Sequence, residues 1–163
     1  MADLLVKLYQ LPELEPALAR AAEGGTRIHR AQAFEQHLVT DWVEEKFSRN
    51  WGDEVRMAFA GHPISCLTAL DGAGHLVGFA CYDATFRGFF GPTGVSAACR
   101  GKGVGTALML KCLHSLRDLG HAYAIIGAVS SLDYYEKTVG AVEIADSTPG
   151  AYMTRITPNR SQE

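Results

Sequence analysis

Apolar residues at Phe34, Leu38, Val39, Trp42, Val43 and Phe47 recur three or four positions apart, a spacing that predicts an amphipathic helix over residues 34–47. A second stripe is clearer. Val104, Leu108, Cys112 and Leu116 share one face with Met109 and Leu113, and Gly120 follows as a stop, which predicts a helix over 103–119. Residues 12–22, rich in Leu, Ala and Glu and ended by Gly24-Gly25, predict another, and 132–137 a short one. Residues 53–60 fit a short helix or a strand; a cap at Asp53 and a stop at Gly61-His62-Pro63 favour the helix, with Asn50-Trp51-Gly52 separating it from the helix before.

Strand patterns cover residues 4–8, 26–31, 64–70 and 75–84, the last two reversing at Asp71-Gly72-Ala73-Gly74. Residues 86–96 predict a further strand interrupted by Gly91-Pro92 and Gly94, residues that mark a bulge, an edge or close approach of another backbone or ligand. The uniformly apolar 122–126 predicts a buried central strand, and 141–145 with 151–156 a closing antiparallel pair around Ser147-Thr148-Pro149-Gly150. The order predicts an α+β, three-layer architecture: a mixed, mostly antiparallel central sheet with helices on both faces.

A length of 163 residues suits one domain with a polar tail at 158–163. A net charge of -3 advertises no nucleic-acid surface, and no apolar stretch is long enough to span a bilayer. The opening residues, Met1 to Lys7, do not read as a signal peptide. Cys66, Cys81, Cys99 and Cys112 are widely spaced and form no ligand-like cluster with the six His residues. Neither a metal site nor a disulfide framework is expected, and a reducing cytoplasm fits.

The candidate chemistry sits at Arg100-Gly101-Lys102-Gly103-Val104-Gly105-Thr106, between a strand and the strongest helix. A helix start leaves backbone N–H groups unpaired and carries partial positive charge, and glycines let an anion approach that backbone closely. A dinucleotide fingerprint fails, because Thr106 stands where its third glycine belongs, and the spacing of a P-loop fails too. A glycine turn serving only tight packing remains the plain alternative.

The run Val95-Ser96-Ala97-Ala98-Cys99-Arg100-Gly101-Lys102-Gly103-Val104-Gly105 resembles the Arg/Gln-x-x-Gly-x-Gly/Ala signature of the GNAT superfamily of acyl-CoA-dependent N-acyltransferases. Downstream, Tyr134-Tyr135-Glu136-Lys137-Thr138-Val139-Gly140-Ala141 resembles that family's Tyr-Glu-Lys segment. The resemblance covers residues 26–157 and leaves 1–25 as an added strand and helix. It implies that Thr93, Gly94 and Val95 offer backbone to the pantetheine arm of acetyl-CoA. Gly101, Lys102, Gly103, Val104, Gly105 and Thr106 would hold the pyrophosphate, with Arg100 at the rim. Tyr135 would be the general acid that protonates the departing thiolate; its plain alternative is a packed tyrosine. Two departures bear on the thioester end. Ala128 stands where many members have Asn, with Ser130 or Ser131 as replacements, and Thr138-Val139 fills a one-residue gap with two.

For a base that neutralises the attacking amine, Tyr82, Asp83 and Arg87 are nearest the cleft, and Asp83 is the only carboxylate among them. His29 and Glu54 are weaker candidates. Phe86, Phe89, Phe90, Trp42 and Trp51 are candidates either for an acceptor pocket or for ordinary core. Backbone groups in residues 87–94 are candidates for stabilising an oxyanion.

The expected activity is transfer of an acetyl group to a primary amine of a small molecule or peptide within a ternary complex. Cys99 and Cys112 have no neighbouring His, which weighs against a covalent intermediate. The rivals are a non-catalytic acyl-CoA-binding module and an enzyme of longer acyl groups. No nucleic-acid or membrane partner is expected, and the resemblance admits a homodimer.

Overall fold

The computed structural model describes residues 1–157; the polar tail expected at 158–163 lies outside the described residues. Seven strands form one sheet: β1 (Leu4–Lys7), β2 (Arg27–Arg30), β3 (Cys66–Leu70), β4 (Leu76–Tyr82), β5 (Phe89–Val95), β6 (Tyr123–Ile126) and β7 (Val142–Glu143). Their order is β2-β3-β4-β5-β6-β1-β7, antiparallel throughout except for the β5–β6 pair. The helices are α1 (Leu14–Glu23), α2 (Gln36–Lys46), α3 (Arg49–Phe59), α4 (Val104–Asp118) and α5 (Leu132–Val139). The mixed, mostly antiparallel sheet covered on both faces agrees with the sequence expectation.

Strand alternation divides the core in two. In β4, Phe79 and Cys81 face α2 and α3, whose Val39, Val43, Val55 and Ala58 are buried there. Ala80 and Tyr82 face the other way, onto Leu108, Cys112 and Leu116 of α4. The register shifts where Leu70 pairs with Leu76 after Ala69 pairs with Gly78, so Val77 is an extra residue. That bulge turns Val77 toward the α4 side while its neighbour Leu76 packs on the α2 side.

The strand and helix expected in residues 1–25 are present: β1 lies between β6 and β7, with Leu4 and Val6 in the α4-side core. Two expectations change. Helix α3 begins at Arg49 and not at Asp53, because the Ser48 hydroxyl accepts the Trp51 amide at 3.2 Å and caps it. Gly52, read from sequence as a breaker, lies inside the helix, where a Cβ would overlap the Glu44 side chain of α2. Its role is close helix packing. Finally, residues 151–156 form no strand; Gly150–Tyr152 is a single 3-10 turn, and β7 pairs with β1 instead.

Arg30 ties β2 to the α4 face. Its Nη1 donates to the Tyr82 hydroxyl at 2.6 Å and to the Ile64 carbonyl, and its Nη2 to the Ser115 hydroxyl at 3.3 Å. Tyr82 is fully buried, so removing the guanidinium strands its hydroxyl without water. Arg30→Met is expected to lower unfolding free energy by ~1–3 kcal/mol, read as a lower urea midpoint at unchanged slope. An unchanged midpoint would contradict this role. No helix among the described residues is long and apolar enough to cross a membrane.

Candidate active site

The site begins where the sheet opens. β5 and β6 pair in parallel at two positions, Phe89 with Ile125 and Phe90 with Ile126, and β5 then runs on alone to Val95. On its other side β5 is bulged: Ala80 pairs with Thr93 but Tyr82 pairs with Phe90, so β5 spends one extra residue across Gly91 and Pro92. Gly91 adopts φ +126°, which a side chain would resist, and this is the physical reason for the glycine there. The interruption foreseen in the sequence is thus a real bulge at the mouth of a cleft.

Beyond the last β5–β6 pair lies a cavity of about 180 Å³ lined by Thr93, Gly94, Val95, Gly105, Tyr134 and Tyr135, with Phe90 and Met109. Thr93, Gly94, Val95, Gly105 and Tyr135, expected from separate motifs, therefore meet in one place. Below it, α4 starts with Gly103 at φ +82° and no side-chain cap. The amides of Val104, Gly105 and Thr106 precede the first intrahelical bond, from the Ala107 amide to the Gly103 carbonyl, and have no partner among the described residues, as an anion site needs. Val104 itself is buried, so only its backbone is available.

Charge around this start comes from three directions. Lys102 and Arg100 are exposed on the loop, the latter donating from Nε to the Val95 carbonyl at 3.3 Å. Arg20 of α1 is the third, and no pattern in the chain around it signals this. A Cβ on Gly103 would lie 3.1 Å from its Cδ and 3.2 Å from its Nε. The helix read as an appendage therefore carries a cation to the glycine loop.

Tyr134 and Tyr135 divide their roles by what they touch. The Tyr134 hydroxyl is 2.9 Å from the Thr106 hydroxyl, joining α5 to the first turn of α4. Tyr135 packs against the core, its hydroxyl makes no hydrogen bond among the described residues, and burial, then the neighbouring Tyr134, pushes its phenol pKa up. The extra residue at Thr138-Val139 is absorbed in the last turn of α5: Val139 is buried and Gly140 closes the helix at φ +63°.

A second, larger cavity of about 530 Å³ adjoins the bulge. Phe90 lines both. Trp51, Glu54, Thr85, Phe86 and Tyr152 are among its walls; Trp42 and Phe89 are not, and Trp42 instead joins Phe47, Trp51 and Phe79 in an aromatic cluster. Glu54 is half-buried there and accepts from the Thr85 hydroxyl at 3.0 Å. Burial raises its pKa, with the Thr85 bond opposing.

Asp83 is placed elsewhere. It sits at φ +52° in the β4–β5 connection, its carboxylate accepting the Gly88 amide at 2.6 Å and lying 3.9 Å from His121 Nε2. It lines neither cavity. Its carboxylate is engaged in closing a loop.

The loop after β6 is fixed by another residue that sequence reading missed. Asp3 is buried, accepts the Ala128 amide at 2.9 Å and donates its own amide to the Ser147 hydroxyl at 2.8 Å. Ala128, at φ +51°, is thereby held at the larger cavity without the Asn that many GNAT sequences place there. Ser130 and Ser131 are exposed and line neither cavity. Cys81 and Cys112 are fully buried, and burial pushes their thiols well up, which disfavours a thiolate nucleophile.

The sequence profile of the acetyltransferase (GNAT) family matches residues 30–141, more than half of the chain. The chain belongs to the GNAT family. No curated protein matches it at the level of sequence. Among solved structures, this GNAT chain is similar to the GCN5-related glucosamine N-acetyltransferase region of a fungal multi-domain GH3 β-N-acetylglucosaminidase, with TM-score 0.72, 16% identity, and coverage of 88% of this chain and 19% of that one. It is also similar to a GCN5-related N-acetyltransferase from Sphaerobacter thermophilus, with TM-score 0.66, 17% identity and coverage of 88% and 48%. A GNAT acetyltransferase from Brucella melitensis, solved in complex with acetyl-CoA, aligns with TM-score 0.54 and 20% identity over 69% of this chain and 80% of that one. The chain spans about a fifth and about half of the length of the first two. These identities speak to the fold.

Proposed function

We propose that the chain transfers an acetyl group from acetyl-CoA directly to a primary amine, with both substrates bound at once. The observation that carries this reading is the meeting of two cavities at Phe90, one bearing Tyr135 and the glycine-rich helix start, the other bearing Glu54. Chemistry needs one cavity for each substrate and a junction where they react.

In this reading the amides of residues 104–106, together with Arg20, Arg100 and Lys102, receive the pyrophosphate of CoA, and the β5 backbone at Thr93, Gly94 and Val95 receives the pantetheine arm. An ammonium entering the larger cavity gives one proton to the Glu54 carboxylate. Its nitrogen then attacks the thioester carbon, and the Gly91 amide is the proposed donor to the developing oxyanion, since Pro92 has no N–H. As the C–S bond breaks, the sulfur takes the Tyr135 phenolic proton. The nitrogen releases its second transferable proton, which restores the phenol through solvent, and the products are an amide and a free thiol.

The assay is free-thiol release from acetyl-CoA in the presence of a panel of primary amines, repeated with propionyl- and succinyl-CoA to set the acyl length. Amine-dependent release supports the reading, and its absence across the panel would sink it. The cofactor side is tested separately by Gly103→Ala. A Cβ at φ +82° costs ~1–2 kcal/mol and presses on Arg20, so the helix start shifts and the Kd for CoA is expected to rise by about tenfold in calorimetric titration. An unchanged Kd in a folded variant would show that CoA is held elsewhere.

A further inference from the structure

Four aromatic side chains line the larger cavity, Trp51, Phe86, Phe90 and Tyr152, with Phe86 and Tyr152 meeting edge to face at 5.8 Å. Of its polar side chains, the Thr85 hydroxyl is already spent on Glu54, and Asn50 and Arg155 stand on the same lining. The rings give this cavity a stacking surface. An apolar or aromatic body suits it.

Two charges of opposite sign line the same space. Glu54 stands on one wall, and Arg155 is contributed by the segment that follows the 3-10 turn. The Tyr152 hydroxyl registers both, Glu54 raising and Arg155 lowering its pKa, after burial and Asp3. Arg155 is held in place by Tyr152. Its guanidinium lies 5.0 Å over the ring, and its Nε donates to the Tyr152 carbonyl at 3.2 Å. Nη1 and Nη2 make no hydrogen bond or ion pair among the described residues, which leaves a planar pair of donors of the kind that takes a carboxylate.

Tyr152 is itself fixed. A Cβ on Gly127 would overlap its hydroxyl, so glycine at that position is what lets the ring seat against the loop after β6. Buried Asp3 anchors both ends of this arrangement, through the Ala128 amide and through Ser147. The arginine is itself exposed, and Tyr152 is what positions it.

We infer that the acceptor is an amino-acid-like zwitterion: a primary amine that also bears a carboxylate, on an apolar or aromatic body. The amine faces Glu54, the carboxylate pairs with Arg155, and the body lies among Trp51, Phe86 and Tyr152. This rests on the proposed transfer reaction for its chemistry, but not for its recognition, and the two are tested apart.

Phenylalanine, phenylalaninamide, phenethylamine and glucosamine are titrated by calorimetry into the full chain saturated with CoA, and the same four are assayed for thiol release from acetyl-CoA. Phenylalanine is expected to bind about tenfold or more tightly than the two analogues that lack the carboxylate, with glucosamine weakest. Arg155→Gln is expected to collapse the ratio between phenylalanine and phenethylamine to near one. Equal binding of phenylalanine and phenethylamine by the unaltered protein overturns the inference, as does preference for glucosamine, an Arg155→Gln variant that keeps the ratio, or no binding of any of the four. Arg155-dependent preference without thiol release leaves the inference standing and sinks the transfer reading. Thiol release that favours phenethylamine does the reverse.

Discussion

Tyr135→Phe is expected to lower kcat by about 10²–10⁴-fold while the Kd for CoA stays within about twofold. The ring packs against the α4-side core and survives the substitution, so only the hydroxyl is lost. Burial holds that phenol above its ordinary pKa, which keeps it protonated through the neutral range and able to give its proton as the thiolate leaves. The split between kcat and CoA affinity also separates an enzyme from a binding module, because a module has no rate to lose. Tyr134→Phe is the control. It breaks the hydroxyl contact to Thr106 and should disturb the junction of α5 with α4, with a smaller effect on rate. A larger rate loss at Tyr134 would transfer the general-acid role to it.

Glu54→Gln is expected to lower kcat/KM by about 10²-fold or more and, at neutral pH, to stabilise the fold. Both effects follow from the same burial. The carboxyl is held above its unfolded value of about 4.3 because desolvation disfavours the charge. A raised folded pKa means that the folded chain binds the proton more tightly, so this group's stabilising contribution is complete below the unfolded pKa. It is lost as pH rises through the folded one. The neutral Gln escapes that loss. Thermal unfolding should therefore show the variant ahead of the parent at pH 7 and level with it below about pH 4. In the parent, the ascending limb of the rate profile should lie above the ordinary carboxylate range, and the variant should lack it. A variant with full activity, or one less stable at pH 7, would remove Glu54 from the role of base.

What the sequence made legible was local. The stripe Val104, Leu108, Cys112 and Leu116 announces α4, and the glycines at 101 and 103 mark two positive-φ positions in front of it, at +75° and +82°. Gly91-Pro92 within an apolar run announces the bulge that opens the cleft. Each of these signals is carried by residues within a turn or two of the feature it specifies.

The missed features are contacts between distant residues. Asp3 holds the Ala128 amide 125 positions away, and nothing near either residue in the chain points to the other. Arg20 reaches Gly103 because β1 enters the sheet between β6 and β7, a placement that a four-residue apolar strand does not encode by itself. Glu54 is only a weaker candidate in the sequence, because its contact with Thr85 and its place in the larger cavity come from the fold. Asp83 gave the opposite lesson: its position at a strand end near the cleft suggested a base, but its carboxylate closes the turn through the Gly88 amide. Gly52 misled for a related reason, since close packing against Glu44 and not a break explains it.

The central claim is that the opening between β5 and β6 holds acetyl-CoA with its thioester at Tyr135, facing the cavity of Glu54. A crystal structure of the chain with acetyl-CoA tests it most directly. The account predicts pyrophosphate oxygens on the amides of residues 104–106, the pantetheine along Thr93, Gly94 and Val95, and the thioester sulfur within hydrogen-bonding reach of the Tyr135 hydroxyl. Acetyl-CoA bound away from the α4 start, or with its sulfur out of reach of both tyrosines, would contradict it.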